Sequence, residues 1–249
     1  MSESLSRWAL HAQLEVLRGR LNDARKVYQA VLITSHPLKG ASLLWWNWAE
    51  MEWLAGNDQQ ALNIVLRAVG VDGHGGISIL RGRRGLDDVI QDEAQWQHRE
   101  RWIKMRALLE LLANEGPLCA CGIFDAYLSG ERPKSVQHES LLVSCLTMLY
   151  HYGFVLKNPT PPATLRQRVK EALEEYPSNS VILGIFLEGE RGQGVWGRVR
   201  EMLGESSGKA KDVMRRIEDV WIAGWERGRW VSEIERTRSG LGAAVESER

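Results

Sequence analysis

The chain has 249 residues, and its 32 lysine and arginine residues balance 32 aspartate and glutamate residues, so no overall charge would draw it to nucleic acid or to an anionic membrane. Its three cysteines are odd in number and contain no Cys-x-x-Cys pair, which argues against a disulfide framework and for a reducing compartment. No apolar run approaches the roughly 20 residues that span a bilayer and no signal peptide opens the chain, so we expect a soluble intracellular protein.

The first predicted element is a helical hairpin over residues 5–33. Its two helices, Leu5–Leu17 and Asn22–Ile33, are joined by a turn at Gly19. The hairpin ends before Pro37, because the residue that precedes a proline is disfavoured in the helical region.

A second hairpin, over residues 42–69, repeats the first at a displacement of 37 residues. Its first helix carries an aromatic face at helical spacing, and Gly56-Asn57 forms the turn to the second helix. A repeat of this length predicts an α-solenoid. The matching positions are Trp8 and Trp45, Ala12 and Ala49, Glu15 and Glu52, Gly19 and Gly56, Ala24 and Ala61, Val27 and Ile64, and Val31 and Ala68.

Residues 70–85 contain six glycines, so we expect a glycine-rich loop here rather than a helix. A phosphate-binding loop is the sharper alternative, but the segment lacks the Lys-Ser/Thr pair and the preceding strand that such a loop requires. Arg81, Arg83 and Arg84 form a small basic cluster in this segment. Such a cluster is usually a solvated turn and occasionally an RNA contact.

Four further hairpins are expected, over residues 98–128, 138–176, 179–204 and 209–246. The third repeats residues of the first at a displacement of 96, and the fifth does so at a displacement of 175, with Glu190 in the place of Glu15. We expect no counterpart of this glutamate over Leu109–Leu112 in the third hairpin, and Gly228 takes its place in the sixth. The expected fold is therefore all-α: a single array of about six hairpins over residues 1–249, forming a curved superhelix.

Two sequence patterns resemble known repeat proteins. The pattern W-x-x-x-A-x-x-E-x-x-x-G followed by A-R-x-V-Y-x-x-V-L, from Trp8 to Leu32, resembles the half-a-TPR (HAT) repeat, which differs from the ordinary TPR in its aromatic first helix and its glutamate. The segments WWNWAEMEWLAG and EYPSNSVILGIFLEGERGQG, with the glycine-bearing insertion after the first, resemble the C-terminal region of fungal members of the nuclear RNAi defective-2 (NRDE-2) family.

The resemblance implies a non-enzymatic scaffold in a nuclear RNA-processing complex that acts in splicing, RNA surveillance or RNAi-linked silencing. It implies a coiled-coil-type splicing-associated protein as the partner. The family's exosome-linked DExH RNA helicase binds an N-terminal segment that has no counterpart in this chain. Two alternatives stay open: direct RNA binding, and a HAT-repeat subunit of another splicing, 3′-end-processing or ribosome-assembly complex.

Tryptophans are the main candidates for partner binding, because eleven of them are several times ordinary usage. Trp46 and Trp53 are seven residues apart on a second face of their helix, where they either pack against a neighbouring repeat or anchor a partner helix. In the final hairpin, Trp221, Trp225 and Trp230 form an apolar face that a partner would cover.

RNA contacts are the alternative use of the surface, and they would come from local basic clusters. No catalytic constellation is expected, since Glu15, Glu52 and Glu190 lie on separate repeats without a histidine or second carboxylate at fixed spacing. The six histidines show no metal-ligand spacing, and no cofactor motif is present. The candidate RNA contacts are Arg81, Arg83 and Arg84, with Arg166, Arg168, Arg198 and Arg200 further along the chain.

Overall fold

The computed structural model describes residues 2–33, 40–73, 75–92, 98–160 and 162–190. Regular structure in this part of the chain is entirely helical, and none of these residues lies in a β-strand. The all-α class is thus confirmed. The chain divides into two compact units, with the boundary between Pro161 and Pro162.

The first unit contains eight α-helices and a π-helical turn among its described residues. They are α1 (Ser2–Leu17), α2 (Leu21–Leu32), α3 (Ser42–Leu54), α4 (Asp58–Ala68), α5 (Gly76–Gln91), α6 (Arg99–Leu112), α7 (Pro117–Leu128) and α8 (Val136–Tyr150), followed by the π-helical turn His151–Val155. Three antiparallel pairs dominate the packing of this unit: α1 with α2, α3 with α4, and α6 with α7, while α5 packs on α6 and α4. In the second unit, α9 (Pro162–Glu175) packs on α10 (Ser180–Glu190).

The same turn ends the first helix of each of these three pairs. Gly19 and Gly56 adopt positive φ angles of 75° and 77°, and Asn114 does the same at 63°. In each turn the next backbone N–H donates to the carbonyl of the residue five positions before it, at 2.8–3.0 Å. This arrangement satisfies carbonyl groups at the end of the helix and starts the return helix at once. The local sequence therefore determines where each hairpin turns.

The prediction of a glycine-rich loop over residues 70–85 is wrong from Gly76 onward, because residues 76–85 form the first part of α5. Its small residues lie on the face that packs against the preceding helix. A Cβ atom added at Gly82 would lie 2.4 Å from Leu66 Cδ2, and one at Gly85 would lie 3.1 Å from Val69 Cβ. These glycines permit close helix packing, which offsets their low helix propensity of about 1 kcal/mol each relative to alanine.

The later predicted hairpins are described only in part. The boundary between the two units falls inside the predicted hairpin over residues 138–176: α8 belongs to the first unit and α9 to the second, where α9 packs on α10. Of the predicted hairpin over residues 179–204 only α10 is described, and the hairpin over 209–246 lies outside the described residues.

Two glycine-to-alanine substitutions should have opposite effects on stability. Gly122→Ala is expected to raise the free energy of unfolding by about 0.5–1 kcal/mol, since Gly122 is exposed inside α7 and its new Cβ would meet no atom within 4 Å. Gly82→Ala is expected to lower it by about 1–2 kcal/mol, because Leu66 would have to move. Urea unfolding followed by circular dichroism measures both; equal stabilisation by the two changes would contradict the close packing of α5 on α4.

Candidate interaction surfaces

The first hairpin is joined to the second by an ion pair between a buried carboxylate and a partly buried guanidinium. Arg25 of α2 donates through Nε to Oε1 of Glu52 on α3 at 2.6 Å and through Nη2 to Oε2 at 2.8 Å. The side-chain amide of Asn57 donates to the same Oε2 at 2.9 Å. One turn along α2, the ring of Tyr28 stacks on that of Trp48, with 5.9 Å between the centroids. We call these five residues the Glu52 joint.

The carboxylate of this joint is held in its charged form. Burial alone would raise the pKa of Glu52, but hydrogen bonds from Arg25 and Asn57 and the charge of Arg25 lower it below its ordinary value. The pKa of Arg25 is raised, mainly by its hydrogen bond to Glu52. An open cleft of about 630 Å³ passes over the pair and is lined also by residues 56–60. Because the charges of Arg25 and Glu52 neutralise each other, we interpret the joint as a structural link between the hairpins and not as a binding site.

A second joint of the same kind links α5 to α6. Arg83 donates to Oε2 of Glu110 at 2.5 Å and to Oε1 of Glu115 at 3.1 Å. Arg106 donates to the other oxygen of Glu110 and, through Nε, to Asp87 at 3.0 Å. In both joints the arginine precedes its glutamate by 27 residues. Glu110 is therefore the glutamate that sequence reasoning failed to assign in the third hairpin. Arg83 follows Arg25 by 58 residues, and Glu110 follows Glu52 by the same 58 residues. This shared displacement of an arginine and a glutamate is the sequence pattern that could have identified Glu110.

Of the arginines predicted to contact RNA, one belongs to this second joint and others remain exposed. Arg83 turns inward to Glu110 and Glu115, so its charge is already compensated. Arg81 and Arg84 are exposed one turn apart on α5, a helix and not a loop. Two of the candidates further along the chain, Arg166 and Arg168, are half-buried and already interact with other groups. The other two, Arg198 and Arg200, lie outside the described residues.

Trp46 and Trp53 are buried, which fits the first of the two alternatives, packing against a neighbouring repeat, and not exposed anchors for a partner. Trp46 is 5 % exposed, and the ammonium of Lys104 lies 4.9 Å from its ring centroid. Trp53 is 2 % exposed, and the ring of His151 approaches it edge-on at 6.2 Å. The physical reason is that α3 has neighbours on two sides, with α1 and α2 before it and α6 after it. The packing alternative holds for both tryptophans.

The remaining aromatic candidates, Trp221, Trp225 and Trp230, lie outside the described residues. Their role in partner binding stays a prediction.

An apolar surface that sequence reasoning did not single out lies on α1. Four large side chains of this one helix are exposed to solvent: Trp8, Leu10, Leu14 and Leu17. Leu10, Leu14 and Leu17 lie on one side of the helix, which we call the α1 outer face, and Trp8 lies on the opposite side, because residues nine positions apart on an α-helix point in opposite directions. Exposed apolar side chains grouped on one side of a helix are typical of interaction sites. The sequence provides little indication of this exposure, because the apolar residues of the first hairpin align with residues of the second that are buried, so the alignment predicts burial for both.

In the described part of the chain, no group of three or more His, Cys, Asp or Glu side chains is placed to hold a metal ion. No helix within the same residues has both the length and the apolar character that crossing a membrane requires. No family model, no curated protein and no solved structure matches the chain.

Proposed function

We propose that the chain is a non-enzymatic helical-repeat scaffold that holds a helical or extended segment of a partner protein. The observation that carries this proposal is the recurrence of one hairpin turn and one Arg–Glu joint along the chain, at Glu52 and again at Glu110. Proteins built from such repeats stack their helices into extended surfaces, and these surfaces serve mainly for binding. On this proposal the hairpins continue as a curved solenoid of HAT-like repeats.

The cellular setting of the proposal is a nuclear RNA-processing complex. Its support is the resemblance of the Trp8–Leu32 pattern to the HAT repeat, whose glutamate is the one that forms the joint in the second hairpin. A coiled-coil-type splicing-associated protein is the partner that the resemblance suggests. The exosome-linked helicase would be reached through a region that this chain does not contain.

Direct RNA binding is the alternative function, and the structure offers it a small surface. Of the three clustered arginines only Arg81 and Arg84 are exposed, because Arg83 is engaged by Glu110. Two exposed arginines one turn apart would neutralise only one or two phosphates, so RNA affinity through them would be weak.

A binding experiment with nuclear extract separates the two functions. The immobilised chain is incubated with extract with and without ribonuclease, and it is washed at salt concentrations between about 0.1 and 0.5 M. We expect the same proteins to be retained after ribonuclease and across this salt range, and Arg81→Ala with Arg84→Ala to leave retention unchanged. Retention that requires RNA, falls steeply with salt and is lost in the double arginine variant would show RNA binding instead.

A further inference from the structure

An aromatic cluster lies around the π-helical turn, near the C-terminal end of the first unit. Tyr150 ends α8 and His151 begins the turn, and the centroids of their rings are 6.1 Å apart. One turn further on, the ring of Phe154 stacks on that of Tyr150 at 5.4 Å. The ring of His151 also lies edge-on to Trp53 of α3, with 6.2 Å between the centroids. His151 therefore contacts a helix of the second hairpin directly from the turn.

The backbone of the turn departs from the α-helix that precedes it. The N–H of Leu156 donates to the carbonyl of His151 at 2.9 Å, and this five-residue spacing is that of a π-helix. Such turns are rare and occur frequently at functional sites. None of the five residues of the turn is fully buried. The contact between His151 and the buried ring of Trp53 thus ties an otherwise open turn to the core.

The imidazole of His151 has a nitrogen that its surroundings do not satisfy. Nδ1 is inaccessible to solvent and has no hydrogen-bond partner within the described residues. A neutral imidazole can leave this nitrogen as an unprotonated acceptor, whereas in the imidazolium both nitrogens carry a proton. Protonation of His151 would therefore create a buried N–H donor without an acceptor, on a ring that has lost part of its hydration. The packed state favours the neutral ring.

Within the described residues, no neighbouring charge offsets this cost. Burial alone lowers the pKa of His151 below its ordinary value, without a contribution from a carboxylate. Tyr150, which faces the ring from α8, is a phenol, and Glu50, three residues before Trp53 on α3, interacts with Lys104 of α6. A cation–π attraction to Trp53 would favour the imidazolium, but the 6.2 Å separation lies beyond the roughly 6 Å over which such contacts are significant.

We propose that His151 makes the packing of the π-helical turn on α3 sensitive to acid, because protonation of its imidazole releases the turn from Trp53. The turn precedes the boundary between the two compact units, which lies between Pro161 and Pro162. Its release loosens the part of the first unit that leads to this boundary. The inference goes beyond the scaffold function and does not depend on it.

The direction of the pH dependence follows from the pKa of His151. In the packed state this pKa lies below its ordinary value of 6.5, and on release of the turn it returns to that value. The released state therefore binds a proton more readily, and its population rises as the pH falls below 6.5. A ring that stays neutral while packed makes release at most about tenfold more favourable at about pH 5.5 than at about pH 7.5.

Backbone hydrogen exchange of the full chain, followed by mass spectrometry, measures this release. After correction for the intrinsic pH dependence of exchange, we expect the protection of residues 152–158 to fall about three- to tenfold between about pH 7.5 and about pH 5.5. His151→Phe keeps an aromatic ring beside Trp53 but cannot be protonated, so protection in this variant should stay constant. His98→Gln is the matched control, because burial also lowers the pKa of His98, and it should retain the loss of protection.

Three exchange results would overturn the inference. They are constant protection of residues 152–158 in the unaltered chain, an equal loss of protection in His151→Phe, and a loss of the same size across all helices, which would show global unfolding in acid. A nuclear magnetic resonance titration of the assigned histidine rings is a second test that needs no variant and remains informative if His151→Phe does not fold. We expect the His151 ring to titrate below 6.5, and titration at or above this value would also overturn the inference.

Discussion

Replacing Trp53 with alanine is expected to lower the free energy of unfolding of the first unit by about 4 kcal/mol. Trp53 is almost fully buried, and the ring of His151 packs against it. Truncation of a buried tryptophan removes its transfer free energy and leaves a cavity, which together cost about 3–5 kcal/mol. Urea unfolding followed by far-ultraviolet circular dichroism measures the loss as a lower transition midpoint.

Trp8→Ala is the matched control for this substitution. Trp8 is 45 % exposed on α1, so its truncation removes about half as much buried surface and should cost about 2 kcal/mol. If Trp53→Ala costs as little as Trp8→Ala, Trp53 is not a core residue and its role as a surface anchor must be reconsidered. If Trp8→Ala unfolds the unit, Trp8 is packed more tightly than its exposure indicates.

The hairpin turns could be predicted from sequence because their chemistry is local. Gly19 and Gly56 were expected to end helices in the left-handed conformation, and both have positive φ angles. The repeat at 37 residues then aligned the helices on either side. Nothing about distant parts of the chain was needed for either prediction.

Helix α5 escaped prediction because glycine has two uses that sequence alone does not separate. It supplies flexibility in turns, and it also allows two helices to approach closely. The buried positions Ser78, Gly82, Leu86 and Ile90 follow helical spacing, but two of them are small and contribute little to a hydrophobic pattern. Gly82 faces Leu66 and not solvent because α4 packs against α5, and this tertiary contact cannot be read from the local sequence.

The exposed apolar side chains of α1 were missed for a related reason. Trp8 and Leu14 are as apolar as Trp45 and Met51, so composition alone predicts burial for both helices. Exposure differs because the first hairpin covers α3 and no described helix covers α1 in the same way. Conversely, Trp46 was among the candidate anchors for a partner, but Lys104 of α6 packs over its ring. Aromatic content identified residues that pack, and only the arrangement of neighbouring helices identified which are accessible.

The Glu52 joint should contribute strongly to stability, and Glu52→Ala is expected to lower the free energy of unfolding by about 3 kcal/mol at neutral pH. The change leaves the partly buried guanidinium of Arg25 without its acceptor, and removing one member of a buried ion pair costs about 3–5 kcal/mol. The lower end of that range applies because the side chain of Arg25 is 30 % exposed. Asp23→Ala, which breaks an exposed ion pair with Lys26 on the same helix, is the control and should have little measurable effect.

The effect of Glu52→Ala should depend on pH in one direction. The folded state holds the pKa of Glu52 below its ordinary value of 4.5, so the joint stabilises the fold above that pH and loses its contribution as pH falls through the folded pKa. The stability difference between Glu52→Ala and the unaltered chain should therefore shrink in acid.

In the double variant Arg25→Met with Glu52→Leu, neither charge is left unpaired, and we expect stability to return to within about 1 kcal/mol of the unaltered chain. Additive losses in that variant would mean that Arg25 and Glu52 stabilise the fold independently and that the pair does not link the hairpins.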